Sequence, residues 1–150
     1  TAASFARKYI LADQTKVNFL GAVSWSFEFE DQPWFYGFRD LSTNGVDKPV
    51  LNVFRMFGLM SGKRLNVISN RMYPIEEVLK SSVRGDQSDI GALASKDKKS
   101  AAIMVWNYHD VDKAGPSENV NVAIENIPVK KATLTIYMID KENSNSYVDW

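Results

Sequence analysis

The sequence predicts a mainly β protein, an antiparallel β-sandwich preceded by a helix–strand–helix unit. Two observations carry this expectation. Residues 1–62 combine helical apolar spacing with one almost continuously apolar run, the pattern of helices beside a strand buried on both faces. From Lys63 onward the apolar period falls to two, and it recurs in short segments with hardly a helix between them. That is the pattern of stacked antiparallel sheets.

The elements follow in chain order. In TAASFARKYILADQ, Ala2, Ala6, Tyr9 and Ile10 fall near helical spacing with Phe5 beside them, and the polar run from Asp13 to Lys16 ends the helix. The next run, VNFLGAVSWSF, is apolar enough for a strand covered on both sides. A polar loop over residues 40–48 carries the turn pair Asn44-Gly45. Pro49 then opens a second helix, where its missing N–H costs nothing. Val50, Val53, Phe54, Phe57 and Met60 share one face of that helix, and Gly62 is the expected stop. Leu51, Met56 and Leu59 make its other sides apolar as well, so it is expected to pack between two bodies. Beyond it, residues 64–69 read as a strand, and residues 90–94 and 101–108 as a hairpin around SKDKKS. Only residues 73–79 suggest another short helix. Val120, Val122 and Ile124, then Leu134, Ile136 and Met138, alternate with mostly polar neighbours and predict two further strands.

Composition narrows the chemistry. Eighteen basic residues balance eighteen acidic ones among 150, so no electrostatic footprint for nucleic acid or for an anionic membrane surface exists. No apolar run approaches the ~20 residues of a membrane span. Neutral molecules or proteins are the expected partners. Without cysteine there is no disulfide and no thiolate site, and a single histidine, His109, excludes a multi-histidine zinc centre. No cofactor or metal is expected. The chain starts at Thr1 without a Met, and one buried strand cannot satisfy its own backbone groups. Both points suggest a processed or truncated piece, and the compartment stays open.

The stretch SWSFEFEDQPWFYGF, residues 24–38, holds seven aromatic and three acidic residues. Aromatic faces stack on the C–H faces of sugars while carboxylates accept their hydroxyl hydrogens, so this composition suits a neutral-sugar subsite. Glu28 and Glu30 would stand about 6.6 Å apart on one strand, a separation compatible with glycoside hydrolysis. Adjacent side chains on one strand face point the same way, however, whereas two catalytic carboxyls must approach the anomeric centre from different directions. A role for one of them as a hydroxyl ligand is the better chemical reading. A solvated cluster paired with Arg39 is the plain structural one. Most of the aromatics suit core packing. Trp25 differs because it stands where the apolar strand gives way to acidic residues, the carboxyl end at which α/β folds place their sites. His109, near Asp110 and Asp112, reads as a surface or capping residue.

The run GAVSWSFEFEDQPWFYGFRDLSTNGVDKPVLNVFRMFGLMSG resembles the end of the catalytic barrel in family 39 glycoside hydrolases, the β-xylosidase type. The later pieces SSVRGDQSDIGALAS, AAIMVWNYHD and YMIDKENSNSYVDW resemble the accessory β-sandwich that follows that barrel. The resemblance implies that residues 1–62 are the C-terminal end of a (β/α)8 barrel, with residues 19–29 as its eighth strand. Residues 63–150 are then the accessory sandwich, cut short. In that family both catalytic glutamates sit on earlier strands, and neither position exists here, so no catalytic residue carries over. What carries over is Trp25, lining the subsite for the sugar to be cleaved, and one or both of Glu30 and Asp31 as hydroxyl ligands. The implied partner of the parent enzyme is a xylo-oligosaccharide. The orphan strand would pair with the missing barrel or with a second copy. A binding or interaction module without catalysis is the rival expectation, favoured if Trp106, Tyr108 or Tyr147 were exposed.

Overall fold

The computed structural model describes residues 1–23, 40–111, 114–126, 128–148 and 150. Helix α1 spans Ala2–Thr15 and ends on Lys16, whose left-handed backbone (φ 57°) closes the last turn. Strands β1 (Ser42–Thr43) and β2 (Val46–Asp47) form a small antiparallel hairpin. Helix α2 spans Pro49–Leu59, with Pro49 in its first turn as expected. Strand β3 (Lys63–Leu65), helix α3 (Ile75–Ser81), β4 (Asp89–Lys96) and β5 (Ala101–Tyr108) follow. The three strands form one antiparallel sheet in the order β3-β4-β5. Small antiparallel sheets with few helices thus agree with the mainly β expectation.

The β4–β5 hairpin is set by its own turn. Asp97 Oδ1 accepts the Lys99 and Ser100 N–H groups at 2.7 and 2.8 Å, and the Asp97 N–H donates to the Ser100 carbonyl at 3.0 Å. This side-chain mimicry of a turn is what Asp is selected for at such positions. The eight-residue ladder that follows, from Asp89↔Tyr108 to Lys96↔Ala101, is the longest among the described residues. Met104 and Trp106 face inward from β5, while Ile103 and Val105 face outward.

Helix α1 lies on this sheet, but its buried face is Ala3, Ala6 and Arg7 rather than the predicted stripe of Ala2, Ala6, Tyr9 and Ile10. Two alanines at i and i+3 let the helix backbone approach closely, and Trp106 fills the space against them. Phe5 packs edge-on to Phe54 of α2 at 5.5 Å between ring centroids, and Tyr9 to Phe19 at 5.2 Å. Arg7 enters the core paired with Asp89, 2.6 Å from Nη2 to Oδ2. Asp89 Oδ2 also accepts the Trp106 indole N–H at 2.8 Å, and Oδ1 accepts the Tyr73 backbone N–H at 2.9 Å.

Three further expectations are corrected. The buried eighth strand does not form in its described part: residues 17–23 carry no regular structure, and Leu20 and Val23 are 89% and 95% exposed. A doubly buried strand needs a bonded neighbour on each side, and among the described residues none pairs with it. Nor do residues 119–125 and 133–138 form strands, and Val122, Leu134 and Ile136 stay exposed. Alternation supplies an apolar face, but pairing needs either a tight local turn or a costly long-range closure. Residues 97–100 provide such a turn for β4–β5. Lastly, α2 stops at Leu59 with Met60 in an extended conformation, and Gly62 serves the turn into β3 instead of the helix end.

Acid should loosen this fold through three depressed carboxyls. Asp97 is held below the usual range by the Ser61 hydroxyl first, then by the Lys99 and Ser100 N–H groups. Asp110 is lowered by Ser82, Tyr108 and Arg84, and Asp140 by the Glu142 N–H and then Asn143. Each native carboxyl binds its proton less readily than the unfolded one. Their stabilisation is therefore present above the ordinary value of about 4 and is lost as pH falls below it. Urea unfolding between pH 6 and 2 should show a decline beginning near pH 4, shallower in Asp97→Asn. A wild-type profile that is flat from pH 4 to 2 would contradict this account.

Candidate functional site

Trp25, Glu30 and Asp31, together with Glu28 and Arg39, lie outside the described residues. The structure brings none of them together or apart. What it does show is the base into which residues 24–39 lead. Asn44 and Gly45 both take positive φ, 46° and 74°, as a two-residue type I′ hairpin requires. Their turn registers Ser42 against Asp47 and Thr43 against Val46, and Ser42 and Thr43 are each only 1% exposed. Beneath them the Lys48 ammonium meets the Asp40 carboxylate at 3.6 Å with both side chains buried. The Lys48 N–H donates to the Leu41 carbonyl at 2.9 Å, and the Lys48 carbonyl accepts the first bond of α2 from Leu51. Asp40 and Leu41 are thereby fixed to the helix that follows them.

Nearly two turns into α2, Arg55 is held at two points. Its Nη2 reaches Asp47 Oδ2 at 2.6 Å and its Nη1 donates to Asn52 Oδ1 at 2.9 Å. The Ser146 hydroxyl donates to the Asp47 carbonyl and joins this corner to the 141–148 segment. Asp140 orders that segment by accepting the Glu142 and Asn143 N–H groups at 2.8 and 2.7 Å. Between the two walls lies an open groove of about 780 Å³.

A second polar cluster stands at the end of β5. Asp110 accepts from the Ser82 hydroxyl at 2.6 Å, the Tyr108 hydroxyl at 3.0 Å and Arg84 Nε at 3.3 Å. These donors keep it ionised to low pH, and burial followed by the Asp110 bond pushes the Tyr108 phenol up. A carboxylate saturated in this way is a poor proton acceptor, and a phenol raised in this way is a poor nucleophile. The cluster reads as a staple between α3 and β5. His109 is tethered similarly, Nε2 lying 2.7 Å from the Gly85 carbonyl, to which it donates. Among the described residues no group of three or more His, Asp or Glu side chains could hold a metal ion.

The aromatics divide clearly. Trp106 is 7% exposed with its N–H bonded inside, and Tyr108 is half-buried, so both are packing residues. Tyr147 is 61% exposed. The Arg7–Asp89 pair and the Arg55 corner were not evident from the sequence. A charged residue set among alanines on one helix face was the available signal for the first. The i, i+3 spacing of Asn52 and Arg55 was the signal for the second.

No curated protein and no solved structure matches the chain. A family model does, and it runs across both the acidic-aromatic segment and the three-stranded sheet, over residues 2–150. Its description is glycosyl hydrolases family 39, and with nearly every residue inside that match the chain belongs to this family.

Proposed function

We propose that the chain is the C-terminal portion of a retaining, β-xylosidase-type glycoside hydrolase, residues 1–62 closing the catalytic barrel and residues 63–150 forming the accessory β-sandwich. The family match over residues 2–150 is the observation that carries this reading. The aromatic and acidic composition of residues 24–38 and the zero net charge support a neutral sugar as ligand. In such an enzyme one carboxylate attacks the anomeric carbon while a carboxylic acid protonates the departing oxygen. Water then releases the sugar from the covalent intermediate, with the second group acting as base. Both of these glutamates lie on barrel strands outside this chain. The chain's own share is to hold the sugar. Trp25 stacks on the xylose ring, and Glu30 or Asp31 accepts hydrogen bonds from its hydroxyls.

Two measurements test this. The chain alone should release no chromophore from a chromogenic β-xyloside above background, and turnover would sink the claim that its carboxylates are elsewhere. Xylobiose should quench tryptophan fluorescence in the wild type, and Trp25→Ala should weaken binding at least about tenfold, the scale of a lost aromatic contact of 0.5–1.5 kcal/mol together with its buried area. Unchanged affinity in that variant would remove Trp25 from the site. The exposed Tyr147 favours carbohydrate binding as a second activity of the C-terminal half.

A further inference from the structure

We propose that the groove between the start of α2 and the 141–148 segment is a second binding site, for a neutral oligosaccharide, besides the one proposed at Trp25. Its volume of about 780 Å³ falls within the roughly 300–1,000 Å³ of ordinary ligand sites. The lining is mixed, its apolar surface exceeding its polar surface, and its charges are of both signs. Asp47 and Glu142 supply two negative charges, Arg55 and Lys141 two positive ones, and Asn52 and Asn145 add side-chain amides. Two charges of each sign balance, so the groove attracts neither an anion nor a cation by net field. It instead offers donors and acceptors to a ligand that carries both, as a sugar hydroxyl does.

The lining is also held in place before any ligand arrives. Arg55 is fixed by Asp47 and Asn52, the Ser146 hydroxyl ties the opposite wall to the Asp47 carbonyl, and Asn145 donates to the Lys141 carbonyl at 2.9 Å. Such preorganisation lowers the ordering cost that usually weakens polar sites. An acidic peptide or a phosphate would favour a basic lining, and an apolar partner an apolar one. The charges here are balanced, and the apolar surface is interleaved with them, as a sugar with C–H faces and hydroxyls requires.

The test uses the whole chain with xylotriose as the neutral probe and tri-galacturonate as the anionic one, followed by calorimetry. Xylotriose should bind, and Glu142→Gln combined with Asn145→Ala should weaken it at least about tenfold, on the scale of two lost hydrogen bonds. Thermal unfolding should confirm that this variant stays folded. Trp25→Ala separates this site from the one proposed above. Binding that survives Trp25→Ala and falls in the groove variant supports the second site. Binding lost only in Trp25→Ala overturns it while leaving the sugar-pocket reading standing. Tighter binding of tri-galacturonate, or no binding of xylotriose at all, overturns it as well.

Discussion

Asp89→Ala should lower the free energy of unfolding by about 3–5 kcal/mol, the usual result of removing one partner of a buried ion pair. Asp89 has no exposed surface; it is the counter-charge of the Arg7 guanidinium and accepts hydrogen bonds from the Trp106 indole and the Tyr73 backbone N–H. Truncation leaves a guanidinium on a residue only 7% exposed with its counter-charge gone, and two buried N–H groups without an acceptor. Arg7→Met should cost less. It keeps the aliphatic volume against Ala3 and Ala6, and the carboxylate retains two hydrogen bonds. Urea unfolding of both single variants and the double variant would give a coupling energy as large as those seen for residues in direct contact, up to ~3 kcal/mol. A cost below 1 kcal/mol for Asp89→Ala would show that the pair does not dock α1 on the sheet. Under the proposed function the consequence reaches further. The pair joins the end of the barrel portion to the sheet portion, so its loss should broaden the near-ultraviolet signal of Trp106 before secondary structure is lost.

Local chemistry made several elements legible in the sequence. Asn44-Gly45 demanded a two-residue turn, Pro49 a helix start, and Asp97 a hairpin loop, and each lies where its own residues placed it. The bounds expected for the second hairpin strand, residues 101–108, are those observed. Elements that depend on distant partners were harder to read. The apolar run at 17–23 and the alternating segments after residue 118 have the residue pattern of strands, but a pattern does not provide the neighbouring backbone that a strand must bond. The helix face was misassigned for a related reason. Tyr9 and Ile10 looked like core, yet the sheet accepted the small face that Ala3 and Ala6 open, with Arg7 drawn in by a carboxylate on a strand far along the chain. For the candidate site the legible part was composition, which pointed to sugar chemistry. Position is a separate matter, since Trp25, Glu30 and Asp31 fall outside the described residues.

Gly62→Ala should cost about 2–4 kcal/mol, well above the same change at Gly45. Both glycines have left-handed backbones, φ +80° and +74°, so alanine at either carries the strain of that region, about 1–2 kcal/mol. They differ in the space around them. A Cβ at Gly45 meets nothing within 4 Å. At Gly62 it would collide with the Lys96 carbonyl oxygen and come within 2.7 Å of the carbonyl carbon and 2.9 Å of Asp97 Cα. All three are backbone atoms, so no side chain can swing away to relieve the overlap. The strand that begins at Lys63 pairs there with Lys96, and opening the gap means separating β3 from β4 at its first rung. Overpacking of this kind adds roughly 1–3 kcal/mol. The decisive comparison is the difference in urea midpoint between the two variants, together with amide exchange along β3. Faster exchange at Lys63 and Leu65 in Gly62→Ala alone is the expected signature. Equal losses of stability in the two variants would mean that backbone strain alone accounts for Gly62, and that the close approach to Lys96 contributes nothing.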